Sequence, residues 1–354
     1  MLHPFFHELN PPSVTLGSDL DFVLRVAFGA GLEGARRPSS GGVLRWAERL
    51  GLEQRYAQQL DPEQAREWLG PTSLRGLESI RTQAASARDA RELAWKRLCD
   101  AVQSSGVEGV LLSTLGSVLH IESASCESRI DVLVRSDDVR RLAMALVVSG
   151  CTVESPRVLH WVRPGAAPAF LGSRDAVIVL HTELRFLRMV PGGVFIDKDC
   201  LKRCGQLRFD ENAPRGITTP SPAVQAADVT AQWLVEQRFA ADSASFCALL
   251  GAHELKLGHD EDLAFDAYLM LQTDVEHAEF EAFRELLRAL GEGRLSLLSK
   301  RARTLFNHAL AMKVNPGYRA RLKLQHKAQV WQQEGHLERA AERVGRFVAT
   351  WARR

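Results

Sequence analysis

The sequence has no apolar run long enough to cross a bilayer. Its longest, "AVIVL" and "GVLLS", fall far short of the roughly 18 residues that a spanning helix needs. The opening "MLHPFFHELNPP" has neither a basic start nor a sustained apolar core, so no secretion signal and no membrane partner are expected, and the expected location is the cytoplasm. A disulfide framework is also missing. The six cysteines, Cys99, Cys126, Cys151, Cys200, Cys204 and Cys247, show no regular spacing, which fits small thiols in a reducing compartment. Cys200 and Cys204 are close, but no second ligand pair follows them, so they read as ordinary loop cysteines rather than half of a zinc site. His253 and His259 read as surface residues. No internal repeat of fixed period is evident, and no aromatic-interleaved basic motif of the kind that binds nucleic acid.

What is present is an ordinary globular composition, 45% hydrophobic and 25% charged over 354 residues, with a mean hydropathy of −0.14. At about 100 to 200 residues per domain, that length allows two or three cores. Charge is distributed unevenly. From Lys300 onward there are 13 Lys and Arg against 3 Glu, so this tail carries about +10 and the rest of the chain about −8. Such a tail is either a solvated helical face or a contact for a protein partner or acidic ligand; nucleic acid is the weaker expectation.

Helical periodicity dominates the first hundred residues. Val43, Leu44, Ala47, Leu50, Tyr56, Ala57 and Leu60 recur at three- and four-residue steps. "DPEQ" reads as a helix start, with Asp61 as cap and Pro62 in the first turn. The spacing predicts a long helix from about Ser73 to Ser104. The period then shortens. "EGVLLS", "IDVLV", "VLHWV" and "AVIVLHTEL" read as strands, and "SDDVRRLAMALVVSG" as a capped helix ending at a glycine. After "TPSPAVQAADV", where Ser221 caps and Pro222 opens a helix, the pattern is helical again. The expected architecture is α+β: residues 1–104 form an N-terminal helical region, 105–215 an α/β core with a small mixed or antiparallel sheet, and 216–354 a C-terminal helical region with the basic tail.

Chemistry concentrates in "GSVLHIESASCESRIDVLV", residues 116 to 134. A Gly-Ser turn, Gly116 and Ser117, can bring backbone amides close to phosphates. After an eleven-residue spacer, 118–128, a strand carries Asp131, a candidate metal ligand, and strand alternation puts Arg129 on the same face. Arg129 either pairs with Asp131, worth about 0 to 1 kcal/mol if partly exposed, or holds a phosphate or carboxylate by bidentate hydrogen bonds. His120 and His181 read as loop or strand-end histidines.

Leu115-Gly116-Ser117, the spacer and "RIDVLV" resemble the polymerase-β-like nucleotidyltransferase superfamily. Over roughly residues 40 to 290 the chain resembles a bacterial nucleotidyltransferase family of uncharacterised activity, found beside genes for polysaccharide and peptide products. The resemblance implies a nucleotidyltransferase-like sheet, an NTP ligand and, in active members, Mg²⁺ held by two aspartates on one strand and a glutamate on a later one. Here those three positions fall on Arg129, Asp131 and Val179.

Two metal ions bring about four positive charges, which one aspartate cannot offset while a guanidinium adds a fifth. Unit charges about 4 Å apart at an effective dielectric of 20 interact by about 4 kcal/mol, so exchanging attraction for repulsion disfavours metal binding by several kcal/mol. Glu127, Asp137, Asp138, Asp175 and Glu183 are the acids available to compensate, and Glu183, re-aimed by a β-bulge, leads them. Three functions follow as expectations. One is a catalytically degenerate protein that serves as a binding or accessory component of a biosynthetic pathway. Another is an active Mg²⁺-dependent enzyme using Asp131 and Glu183 to move a nucleoside monophosphate onto a sugar, peptide or small molecule. The third is an adaptor working through the basic tail.

Overall fold

The computed structural model describes residues 11–112, 129–153, 169–173, 176–188, 195–209, 215–238, 246–272, 275–322 and 324. Gly116, Ser117, His120, Cys126, the "VLHWV" segment and the tail beyond residue 324 lie outside the described residues.

Five helices come first: α1 (Ser18–Ala27), α2 (Ser40–Leu50), α3 (Glu53–Gln59), α4 (Pro62–Leu69) and α5 (Pro71–Ser105). Local chemistry explains their boundaries. The Asp61 carboxylate accepts hydrogen bonds from the amides of Glu63 at 2.7 Å and Gln64 at 3.0 Å, satisfying two of the donors that a helix start leaves free. α5 runs 35 residues, about 52 Å at 1.5 Å per residue. It stops where Gly106 takes φ of 64°, a left-handed conformation that suits glycine.

The strands are β1 (Gly109–Leu111), β2 (Arg129–Leu133), β3 (Thr152–Val153), β4 (Ala169–Ser173), β5 (Ala176–His181), β6 (Leu184–Arg188), β7 (Phe195–Ile196), β8 (Leu207–Arg208) and β9 (Ile217–Pro220). Between them lie α6 (Val139–Val148) and α7 (Lys198–Arg203). Seven strands form one mixed sheet in the order β3-β4-β5-β2-β1-β9-β8, with β6 and β7 paired separately. β2 runs parallel to β5 and antiparallel to β1. The sheet is wider than the strand signals in the sequence imply, because short strands such as β4 and β9 draw their stability from neighbours. The expected helix over residues 136 to 150 begins with a 3₁₀ turn, Ser136–Asp138, that lacks a side-chain cap; the Asp138 carboxylate pairs instead with Arg141 at 2.6 Å.

The C-terminal helices are α8 (Pro222–Arg238), α9 (Phe246–Glu254), α10 (Glu261–Leu271), α11 (His277–Glu292) and α12 (Lys300–Val314). Among the described residues no helix is long and apolar enough to cross a membrane.

Two cores result. One face of the sheet, with Ile130, Val132, Ile178 and Leu180, packs on Ala94, Leu98 and Val102 of α5 and on Leu142 and Leu146 of α6. Gly172 lets α5 approach: a Cβ there would lie 2.5 Å from the Cβ of Ala94. The larger core unites the N-terminal and C-terminal helices. Phe22, Leu50 and Tyr56 share it with Trp233, Phe246, Phe283 and Phe306, and Val110, Leu112 and Leu133 reach it from the sheet's other face. Polar ties cross the same seam, Arg55 to Glu254 at 3.3 Å and the Cys247 thiol to the carbonyl of Gly51 at 3.3 Å. α5 belongs to both cores, with Leu77 in the larger and Ala94 in the smaller.

Candidate functional site

Burial alternates along β5, with Ala176, Ile178 and Leu180 buried and Val177, Val179 and His181 half-buried. The half-buried set shares a face with Asp131, because the parallel register sets Asp131 beside Val179 and Leu133 beside His181. One step along the strands, His181 meets Asp131: its Nε2 lies 2.5 Å from the carboxylate Oδ1. The Asp131 side chain is 4% exposed and that of His181 27%. Backbone bonds fix both strands here, the amide of Leu112 donating to the carbonyl of Asp131 at 3.0 Å and that of Val134 to the carbonyl of His181 at 2.8 Å.

A buried carboxylate holding a half-exposed imidazole has definite chemical possibilities. In neutral imidazole, an Nε2–H donates to Asp131 and leaves Nδ1 with a lone pair able to accept a proton. As imidazolium, His181 forms an ion pair with the carboxylate. In either state one oxygen of Asp131 is engaged. The position directly across the register from Asp131 is Val179, which offers no ligand. Among the described residues no group of three or more His, Cys, Asp or Glu could hold a metal ion. A pair of magnesium ions needs several carboxylate oxygens between them, and at these register positions the described residues offer those of Asp131.

Of the sequence candidates, Arg129 opens β2 and pairs with Val177 through the backbone. Glu183 stands in the two-residue bend between β5 and β6, where the chain leaves the main sheet for the smaller one. "AVIVLHTEL" is therefore two strands rather than one. Asp137 and Asp138 lie in the 3₁₀ turn after β2. His181 is the last residue of β5, as its reading as a strand-end histidine anticipated; its contact with Asp131, fifty positions away in sequence, was not anticipated. His253 is a correction. It is half-buried and packs edge-on against Phe28, with ring centroids 5.5 Å apart. Cys151 and Cys200 are buried, whereas Cys204 is exposed.

A second polar cluster pins α7 to the edge of β1. The nearly inaccessible Lys198 donates to the Glu108 carbonyl at 2.9 Å and to its carboxylate at 3.0 Å. Arg135, just past β2, pairs with Asp199 at 2.7 Å. The hydrogen bond from Lys198, with its charge, holds the Glu108 carboxyl below the usual glutamate range. The sequence carries no local signal for this cluster, since Glu108 and Lys198 are 90 positions apart. Compared with family models, with curated proteins and with solved structures, the chain matches none.

Proposed function

We propose that this is a nucleotidyltransferase-like protein that binds a nucleotide, or another phosphate-bearing ligand, without two-metal transfer, and that it serves as a binding or accessory component of a biosynthetic pathway. The observation that carries the reading is the surroundings of Asp131: a valine across the register and a histidine on its carboxylate. By the sequence resemblance, Arg129 would bring positive charge to the position where active members of that family hold metal, and Gly116 and Ser117, which lie outside the described residues, would bring backbone amides. Isothermal titration with ATP, CTP, GTP and UTP, with and without magnesium, tests this. Binding that is indifferent to magnesium, with no pyrophosphate released, is expected. Magnesium-dependent binding accompanied by pyrophosphate release overturns it.

One observation favours a second reading, an active transferase. The Asp131–His181 contact is the arrangement by which a buried acid orients a general base, and His181 would then take the proton from an acceptor hydroxyl. Its signature is loss of turnover in both Asp131→Asn and His181→Ala with the fold intact. Turnover that survives both substitutions ends this reading.

A further inference from the structure

Away from the sheet, a cavity of about 490 Å³ opens between the segment leading into α1 and the turn that joins α11 to α12. That volume lies within the roughly 300 to 1,000 Å³ usual for small-molecule sites. Val14, Leu16, Leu298 and Phe306 give it an apolar lining. Its charge is one-sided: three arginines, Arg25, Arg36 and Arg303, line it together with one carboxylate, Asp21.

The three arginines are not equivalent. Arg25 is committed to the fold, with Nε on the Asp21 carboxylate at 2.9 Å, Nη1 on the carbonyl of Gly31 at 2.9 Å and Nη2 on that of Gly293 at 2.7 Å. Arg25 and Asp21 thus cancel and make a fixed wall. Among the described residues Arg303 bonds through Nη2 alone, to the carbonyls of Ser296 at 3.0 Å and Leu298 at 3.1 Å. Those two bonds hold the guanidinium in place, and its Nε and Nη1 donate to none of the described residues. Arg36 is exposed and enters no ion pair among the described residues. After the internal cancellation, about two positive charges line the cavity together with its apolar residues. Guanidinium donors prefer planar oxyanions, which they grip through paired N–H···O bonds.

We propose that this cavity binds a small amphipathic oxyanion, a phosphate or carboxylate head on an apolar body the size of a ring or short chain, with Arg36 and Arg303 holding the head. The site is independent of the Asp131 face. The test is calorimetric titration of the full chain with phenyl phosphate, benzoate, inorganic phosphate and benzyl alcohol. One phenyl phosphate or benzoate should bind per chain, and the tighter of the two identifies the head group. Inorganic phosphate, lacking the apolar body, and benzyl alcohol, lacking the charge, should each bind at least about tenfold more weakly. Arg36→Gln and Arg303→Gln should each weaken the preferred anion about tenfold, the usual consequence of losing one charge-assisted hydrogen bond. Arg301→Gln, on α12 but outside the cavity, should leave binding unchanged. Arg36 is exposed, so its substitution tests the idea without threatening the fold. The proposal is overturned if neither anion binds at one per chain, if both arginine variants keep full affinity, or if the uncharged or body-less probe binds as tightly. A loss of affinity confined to Asp131→Asn would also overturn it, by placing the anion on the sheet face.

Discussion

Gly172→Ala reports on whether α5 truly rests on the sheet that carries Asp131 and His181. A methyl group built at Gly172 would stand 2.5 Å from the Cβ of Ala94, 3.1 Å from its Cα and 3.1 Å from Cδ1 of Ile178. Carbon atoms settle about 3.5 to 4.0 Å apart, so the overlap at Ala94 is at least about 1 Å. The nearest obstacle is the Ala94 methyl, which has no rotamer to change, with the helix backbone behind it. Overpacking usually costs about 1 to 3 kcal/mol, and the upper end applies here. The same shift stretches the bond from Arg97 Nη1 to the Gly172 carbonyl, now 2.6 Å, which adds about 1 kcal/mol. Ala94→Gly removes the nearest obstructing atom and costs about 1 kcal/mol by itself, through helix propensity. In the double variant the two losses should fall short of their sum by about 1 to 2 kcal/mol. Urea unfolding followed by circular dichroism, run as a double-mutant cycle, measures that coupling. Additivity to within about 0.5 kcal/mol, the behaviour of distant sites, refutes the close approach and with it the account of how β4 and β5 are braced.

Three further outcomes are expected. His181→Ala withdraws a hydrogen bond from the buried Asp131 carboxylate and should lower stability by about 1.5 to 3 kcal/mol, read from denaturant midpoints; an unchanged midpoint would show that the contact contributes nothing. Burial pushes the His253 imidazole pKa down, and the charges of His259 and Arg55 add to this. The unfolded chain therefore takes up the proton first as pH falls, so this contribution to stability is present above about 6.5, the free imidazole value, and is lost as pH drops through that value toward the lower folded one. His253→Gln should flatten the melting temperature against pH between 7.5 and 5.5, and a profile that keeps the wild-type slope would exclude His253 as its cause. Asp61→Ala removes the acceptor of two amides at the start of α4 and should cost about 1 kcal/mol, whereas Asp61→Asn, which keeps an acceptor oxygen, should cost less; equal losses in the two variants would argue against capping.

Local signals carried a good part of the secondary structure. Asp61-Pro62 and Ser221-Pro222 mark helix starts that the structure shows, the latter with the Ser221 hydroxyl accepting from the amide of Val224 at 3.4 Å. The helix expected from about Ser73 to Ser104 runs Pro71–Ser105, and the strand expected over 130 to 134 runs Arg129–Leu133. Caps, glycine stops and apolar periods act over a few residues, so they can be read without knowing what lies opposite. Strand alternation placed Asp131 and Arg129 on one face, whereas Val179 as the position of a further acid rests on the family resemblance alone.

Tertiary structure decided what depends on register and on contacts between distant segments. β4 and β9 exist because other strands flank them. His181 reaches Asp131 because β5 aligns Val179, rather than its neighbours, with that aspartate; a slip of one residue would turn every side chain of the strand to the opposite face. The N-terminal helices share their core with α8 to α12, so Arg25 closes on Gly293 across 268 positions of sequence and a cavity forms where the two ends of the fold meet. Hydrophobic periodicity states that a face will be buried, but the burial is non-directional and carries no address for its partner, so only the folded chain shows which faces meet.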